Sequence, residues 1–130
     1  MSPRNAATLH GALRLLLVED DAIAGAGIRR ELRQAGFAVD WVHERRGAET
    51  ALGSQRYSVV LLDLGQPRKH GFPVLEALHR RRKAIPVVLI SARQPFDLVA
   101  LAARIHDALR RRAERAERDS ANMMLPFSWG

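Results

Sequence analysis

The chain has no cysteine, which excludes a disulfide framework and any metal site built on thiolates. Aromatic residues are only 5% of the sequence, and none is interleaved with the basic runs at 80–83 and 110–112. A stacking platform for single-stranded nucleic acid is therefore not supported. No apolar run approaches the length of a membrane span, and the run at 13–18 ends in three acids. We therefore expect a cytoplasmic protein without a signal peptide or membrane contact.

What the sequence does contain is the composition of a globular protein, with 47% hydrophobic and 27% charged residues. At 130 residues we expect one domain with a substantial core. The net charge of +7 comes mostly from arginine and could attract nucleic acid or an acidic partner. We favour solvated helix ends, where the helix dipole stabilises cations. Because no helix-turn-helix pattern is present, we expect no DNA binding by this chain alone.

Two short apolar runs end in acidic residues. The run 59–62 has four aliphatic residues without alternation, as in a strand buried on both faces of a parallel sheet, and Asp63 follows it. The run 15–18 is followed by Glu19, Asp20 and Asp21. An acid at such a place commonly begins a loop or caps a helix. The carboxyl ends of neighbouring parallel strands meet at one edge, however, and the two runs then predict a single acidic pocket.

Strands and helices are predicted to alternate along the chain, which indicates an α/β fold with a parallel sheet and right-handed crossovers. We expect strands at 14–18, 37–42, 57–62 and 85–90, and helices at 21–35, about 46–54, 73–82 and from the N-cap Asp97 to about Asp119. Residues 1–13 are expected to form a flexible extension. Residues 113–130 are expected to extend the last helix into a tail whose apolar side chains dock on the body or on a partner.

Four segments occur in the order found in a known family. Residues 16–21, 60–65, 67–72 and 88–93 resemble the receiver domain of bacterial two-component response regulators. The similarity is greatest to the branch whose receivers precede a winged-helix DNA-binding domain, and it covers about residues 14–112. It implies a flavodoxin-like doubly wound sheet, with its site between the first and third strands.

The resemblance assigns roles to individual residues. It implies that Asp63 is the phosphoacceptor, which attacks a phosphoryl group held on a histidine of a sensor kinase. Mg²⁺ would be held by Asp20, Asp63 and the backbone carbonyl of Gly65, with Glu19 acting through a bound water. Such oxygen ligands suit a hard cation that keeps several waters. Ser91 matches the hydroxyl that hydrogen-bonds the phosphoryl oxygen, although by itself it would be read as a serine that ends a strand.

The chain departs from the family after its fourth strand. Only five residues lie between Ser91 and Asp97, whereas a parallel crossover needs at least about 10–12. We therefore expect a four-stranded sheet of order 2-1-3-4, without the fifth strand, its preceding helix and its aromatic switch residue. Gln94 takes the position of the lysine that contacts the phosphoryl group. In the active-site loop, Gln66 replaces an aliphatic residue and His70 replaces an acid.

Three functions remain open from the sequence. The first is a truncated receiver, not an enzyme and without a DNA-binding domain, that accepts phosphate in a phosphorelay. The second is a degenerate receiver that acts only as a protein-interaction module, and the third is a phosphohydrolase, which lacks a general acid after Asp63. The exposed edge of strand four, or the final helix, suggests a homodimer. The Gly25-Ala26-Gly27 segment is interpreted as a helix-packing feature rather than a dinucleotide fingerprint.

Overall fold

The computed structural model describes residues 13–63, 85–91 and 97–124. They form four strands and three helices: β1 (Arg14–Val18), α1 (Ala22–Gln34), β2 (Ala38–Val42), α2 (Arg45–Ser54), β3 (Val59–Asp63), β4 (Val87–Ile90) and α3 (Leu98–Met124). The predicted N-terminal extension up to residue 12, the helix at 73–82 and the last six residues of the tail lie outside the described residues. The other predicted elements are confirmed, with β1 at the predicted bounds and the ends of the others differing by at most five residues.

The strands form one parallel sheet in the order β2-β1-β3-β4, as predicted. The central pair is β1 and β3, in a register that places Val18 opposite Leu62. On the other side of β3, Asp63 lies opposite Ile90. The chain passes from β4 to α3 through residues 91–97, which leaves no length for another helix and strand. Among the described residues, no strand pairs with the outer edge of β4.

A hydrophobic core lies on each face of the sheet. The larger core packs α1 and α3 against the sheet, with Ile28, Leu32, Leu101 and Ile105 as the main helix contributions. The smaller core packs α2 against the opposite face. Strand β3 is buried along its whole length, because it contributes to both cores. This confirms the interpretation of its unbroken aliphatic run.

The helix ends follow from local hydrogen bonds. Asp21 caps α1 by accepting a hydrogen bond from the Ile23 N–H at 3.0 Å. Asp97 accepts one from the Ala100 N–H at 3.1 Å, which confirms it as the N-cap of α3. Gly36 follows α1 with a φ of 102°, a conformation that other residues rarely adopt.

Helix α3 is longer than predicted, since it ends at Met124 rather than near Asp119. No glycine or proline occurs between Asp97 and Pro126, and each added residue of a helix gains one backbone hydrogen bond. Residues 110–122 are all exposed, as expected for this extension. In the part of the chain that the structure describes, no helix combines the length and apolar character that a bilayer crossing requires.

Replacing the fully buried Ile105 of α3 with alanine should lower the free energy of unfolding by about 2–5 kcal/mol, because it leaves a cavity between α3 and the sheet. The matched control is Val99→Ala on the same helix, where the side chain is 80% exposed and the change should stay within about 0.5 kcal/mol. Urea denaturation measures both values. An equal decrease in the free energy of unfolding for the two variants would contradict the packing of α3 described above.

Candidate functional site

Three carboxyl groups meet at the carboxyl end of the central strands. Glu19 and Asp20 follow β1, and Asp63 is the last residue of the neighbouring strand β3. Carboxylate oxygens from all three lie within 4.8 Å of one another. Glu19 is 2% exposed and Asp63 9%, whereas Asp20 is exposed to solvent. The prediction that the two acidic strand ends form a single pocket is therefore confirmed.

The third acid of the 19–21 cluster serves a different purpose. The Asp21 carboxylate caps α1, and is not one of the three that converge. Its backbone N–H donates to Glu19 Oε1 at 3.3 Å. Asp21 is thus a helix cap, whereas the carboxylates of Glu19 and Asp20 belong to the acidic pocket.

Glu19 is the most perturbed group of the pocket. Burial raises its pKa from the ordinary value of 4.5 to about 8, helped by a hydrogen bond to Asp63 and by the charges of Asp63 and Asp20, and the Asp21 N–H opposes the change. The buried Oε2 of Glu19 has no donor among the described residues. A hydrogen bond between the carboxyl groups of Glu19 and Asp63 requires that one of the two carries a proton.

Trp41 of β2 fixes the position of the Glu19 backbone. Its indole N–H donates to the Glu19 carbonyl at 2.9 Å, and the Glu19 N–H donates to the Val42 carbonyl at 3.0 Å. The indole lies on Gly25, where a Cβ would come within 2.2 Å of the ring. The helix-packing interpretation is therefore correct for Gly25, although Gly27 faces open space. Sequence reasoning missed Trp41, since no local pattern links it to residue 19.

Ser91 lies at the same edge of the sheet as the acids. It directly follows Ile90, the residue opposite Asp63, and it is exposed. The structure thus places it one residue beyond the acidic edge, on the strand next to β3. The other predicted ligand, the Gly65 carbonyl, lies outside the described residues. So do the departures at Gln66, His70 and Gln94.

The donor set of the pocket fits a hard divalent cation. Glu19, Asp20 and Asp63 offer carboxylate oxygens, the ligand type that Mg²⁺ and Ca²⁺ prefer. The buried Glu19 Oε2 has no partner among the described residues and is available to a cation directly or through water. A cation would also offset the repulsion from Asp63 and Asp20, which adds to the effect of burial in raising the pKa of Glu19.

The chain is similar in sequence or structure to several known regulatory proteins. The chain is 36% identical to the response regulator protein PmrA of Pseudomonas aeruginosa, over 80% of this chain and 56% of that protein. It is 32% identical to the transcriptional regulatory protein QseB of Escherichia coli O157:H7, over 87% of this chain and 61% of that protein. The chain therefore spans little more than half the length of these relatives. The receiver domain of HemR from Leptospira biflexa superposes with a TM-score of 0.63 at 25% identity, covering 75% of this chain and 94% of that one.

The alignments with these relatives include positions that have no counterpart in this chain. The QseB alignment extends over 134 positions, more than the 130 residues of this chain, of which only 87% take part. About 20 positions of QseB therefore have no counterpart here. The PmrA alignment shows a similar excess, with 123 positions against 80% of this chain.

One family model accounts for most of the sequence. It is the response regulator receiver domain model, and it matches residues 15–118. The sheet order of the structure and the acidic edge between β1 and β3 are those expected for that family. We conclude that the chain belongs to the response regulator receiver domain family of two-component signalling.

Proposed function

We propose that this protein accepts a phosphoryl group on Asp63 from a histidine of a sensor kinase, in the cytoplasm, and acts as a signalling module rather than an enzyme. One observation carries the proposal. Asp63 ends a strand that is buried along its length, and its carboxylate lies within 4.8 Å of those of Glu19 and Asp20. A buried carboxylate with acidic neighbours at a strand end is suited to a cation-assisted phosphoryl transfer.

The proposed transfer is a displacement at phosphorus by the Asp63 carboxylate. One carboxylate oxygen attacks phosphorus as the bond from phosphorus to the imidazole nitrogen of the kinase breaks, and the electron pair of that bond returns to the nitrogen. The product is an acyl phosphate on Asp63. Ser91, on the neighbouring strand end, is proposed to donate its hydroxyl proton in a hydrogen bond to a phosphoryl oxygen.

A divalent cation is part of the proposal, because the phosphoryl group must enter a pocket that already carries negative charge. Asp20, Asp63 and the Gly65 carbonyl are proposed to hold Mg²⁺, with Glu19 acting through a water. When bound, the cation neutralises charge on the transferring group. The unpartnered, buried Oε2 of Glu19 supports this assignment.

The competing function is a receiver that no longer takes phosphate and acts only by binding other proteins. It rests on the short 91–97 connection between β4 and α3 and on Gln94, which replaces the lysine of the family pattern. The division into residues 1–13, a truncated receiver at 14–112 and an extension at 113–130 stays a prediction. So does the homodimer through the β4 edge or α3.

The phosphoryl acceptor can be tested by intact-mass measurement after incubation with Mg²⁺ and acetyl phosphate. The wild type should gain the mass of one phosphoryl group, because the Asp63 carboxylate is the nucleophile. Asp63→Asn should gain none, since the amide oxygen is a poor nucleophile. The matched control, Asp97→Asn, alters a helix cap on α3 and should be phosphorylated like the wild type.

Failure of the wild type to take up phosphate, with circular dichroism showing an intact fold, would favour the degenerate receiver. Continuous turnover of acetyl phosphate that Asp63→Asn abolishes would instead favour the phosphohydrolase. Labelling of Asp63→Asn to the wild-type extent would assign the acceptor to a different residue.

The stability of the metal-free protein should fall as the pH rises from about 4.5 to about 8. In this range the native Glu19 keeps a proton that the unfolded chain has already lost, so the native state binds more protons and deprotonation favours unfolding. Mg²⁺ should oppose this loss and should stabilise the protein more at about pH 8 than at about pH 5.5. Thermal unfolding in EDTA and in Mg²⁺ measures both effects.

Glu19→Gln is the variant that tests the origin of this pH dependence. It should reduce the slope of stability against pH, because the amide does not titrate. Glu117→Gln, at an exposed position of α3, is the control and should keep the wild-type slope. An unchanged slope in Glu19→Gln would show that another group causes the dependence.

A further inference from the structure

The edge of the sheet at β4 borders a groove of about 830 Å³. One wall is formed by residues 85–88, which are the first two residues of β4 and the two residues before them. The other wall is a face of α3. In the flavodoxin-like order 2-1-3-4-5 a fifth strand would pair with this edge. Among the residues that the structure describes, no strand takes that place.

The outer edge of β4, of which Val87 and Val88 line the groove, presents backbone hydrogen-bonding groups away from β3. The Val60 N–H donates to the Pro86 carbonyl at 3.0 Å, so Pro86 faces β3. Because the direction alternates along a parallel strand, the groups of Val87 and Leu89 face outward. The Leu89 carbonyl accepts a hydrogen bond from Arg104 of α3 at 2.6 Å. The outward N–H groups of Val87 and Leu89 and the Val87 carbonyl are therefore positioned to pair with an added strand.

The wall of the groove that α3 contributes is mostly basic. It carries four arginines and two aspartates: Arg104, Asp107, Arg111, Arg112, Arg115 and Asp119. Asp107 pairs with Arg111 at 3.1 Å and with Arg110 outside the groove. No carboxylate of the described residues forms an ion pair with Arg112 or Arg115, and both side chains are exposed. As far as the described residues show, the groove thus combines a strand edge without a pairing strand and two arginines without an ion-pair partner.

We propose that this groove binds an extended acidic segment of a partner protein, which adds to β4 as a fifth strand. Backbone pairing with Val87 and Leu89 supplies the register, and carboxylates of the segment meet Arg112 and Arg115. Strand addition to an exposed sheet edge is an established mode of peptide recognition. The proposal is independent of phosphoryl acceptance by Asp63, which lies on the neighbouring strand.

Charge and composition favour this occupant over two others. A second copy of the chain, which carries a net charge of +7, would bring another set of arginines to the same groove. A nucleic acid would match the charge, but none of the described residues that line the groove is aromatic, so these residues offer bases no stacking partner. An acidic peptide satisfies both the arginines and the strand edge.

The test uses the full chain and a fluorescein-labelled peptide of alternating glutamate and valine, with fluorescence anisotropy as the readout. Arg112→Ala/Arg115→Ala should bind this peptide about tenfold more weakly than the wild type. Arg30→Ala/Arg46→Ala removes the same charge from exposed positions of α1 and α2 and should keep the wild-type affinity. Equal weakening in both double variants would overturn the proposal, because it would show a general response to net charge.

The strand-pairing part is tested with a peptide of the same charge in which proline replaces alternate valines. This peptide should bind about tenfold more weakly, because proline has no N–H and cannot continue a ladder. Hydrogen exchange at the Leu89 amide should slow when the glutamate–valine peptide binds, whereas the Val88 amide, which faces β3, should not change.

Three results would overturn the proposal. The first is equal affinity of the two peptides, which would indicate charge attraction alone. The second is that an oligothymidylate of equal charge binds as tightly as the glutamate–valine peptide, and that the same double substitution weakens its binding. This result would indicate a nucleic acid. The third is a dimer in sedimentation equilibrium with a protected Leu89 amide in the absence of peptide, which would assign the edge to a second copy.

Discussion

The parallel pairing of β1 with β3 holds carboxyl groups of like charge close together, and the chemistry of the site depends on this proximity. Both strands are aliphatic and buried, so the residues at their ends cannot move apart without breaking the sheet. Glu19 and Asp63 are consequently held together at a place where water is scarce. The repulsion within such a pair is reduced when one carboxyl group binds a proton or when the pair binds a cation. The raised pKa of Glu19 corresponds to the first case, in which Glu19 is protonated. Binding of a cation at such a site would favour release of the proton.

The pocket is supported by contacts that lie away from the carboxylates. Trp41 ties the Glu19 carbonyl to β2, and Gly25 leaves room on α1 for the indole. A third element therefore orients the residues that follow β1, and Asp63 is the last residue of β3. The acid pocket and its supports are intact in the described residues, while the sheet stops at the strand next to it. Among the described residues, three carboxyl groups meet at the end of β1 and β3, and no strand pairs with the outer edge of β4.

Much of this arrangement could be predicted from local patterns. The bounds of β1 and the Asp97 cap follow from an aliphatic run and a helix start signal, and the length of the 91–97 connection alone limits the sheet to four strands. Asp63 belongs to β3 rather than to the loop after it, because its backbone lies opposite Ile90. Such a boundary depends on the neighbouring strand.

The contacts that could not be predicted depend on register. Trp41 reaches the Glu19 carbonyl only because β2 pairs with β1, and the groups that β4 turns outward are fixed by which of its residues bond to β3. The split of the acidic cluster, with Asp21 capping α1, similarly requires the geometry of the helix start. A single sequence does not encode these relations in any local spacing.

Helix α3 has a mechanical consequence. Its first turns pack on β3 and β4, and residues 110–122 are exposed to solvent. At a rise of about 1.5 Å per residue, the part of α3 after Leu109 is about 22 Å long. A tilt of about 10° at Leu109 would therefore move the far end of the helix by about 4 Å, the spacing of adjacent Cα atoms. A small rotation of α3 at the sheet would thus become a larger displacement at its far end.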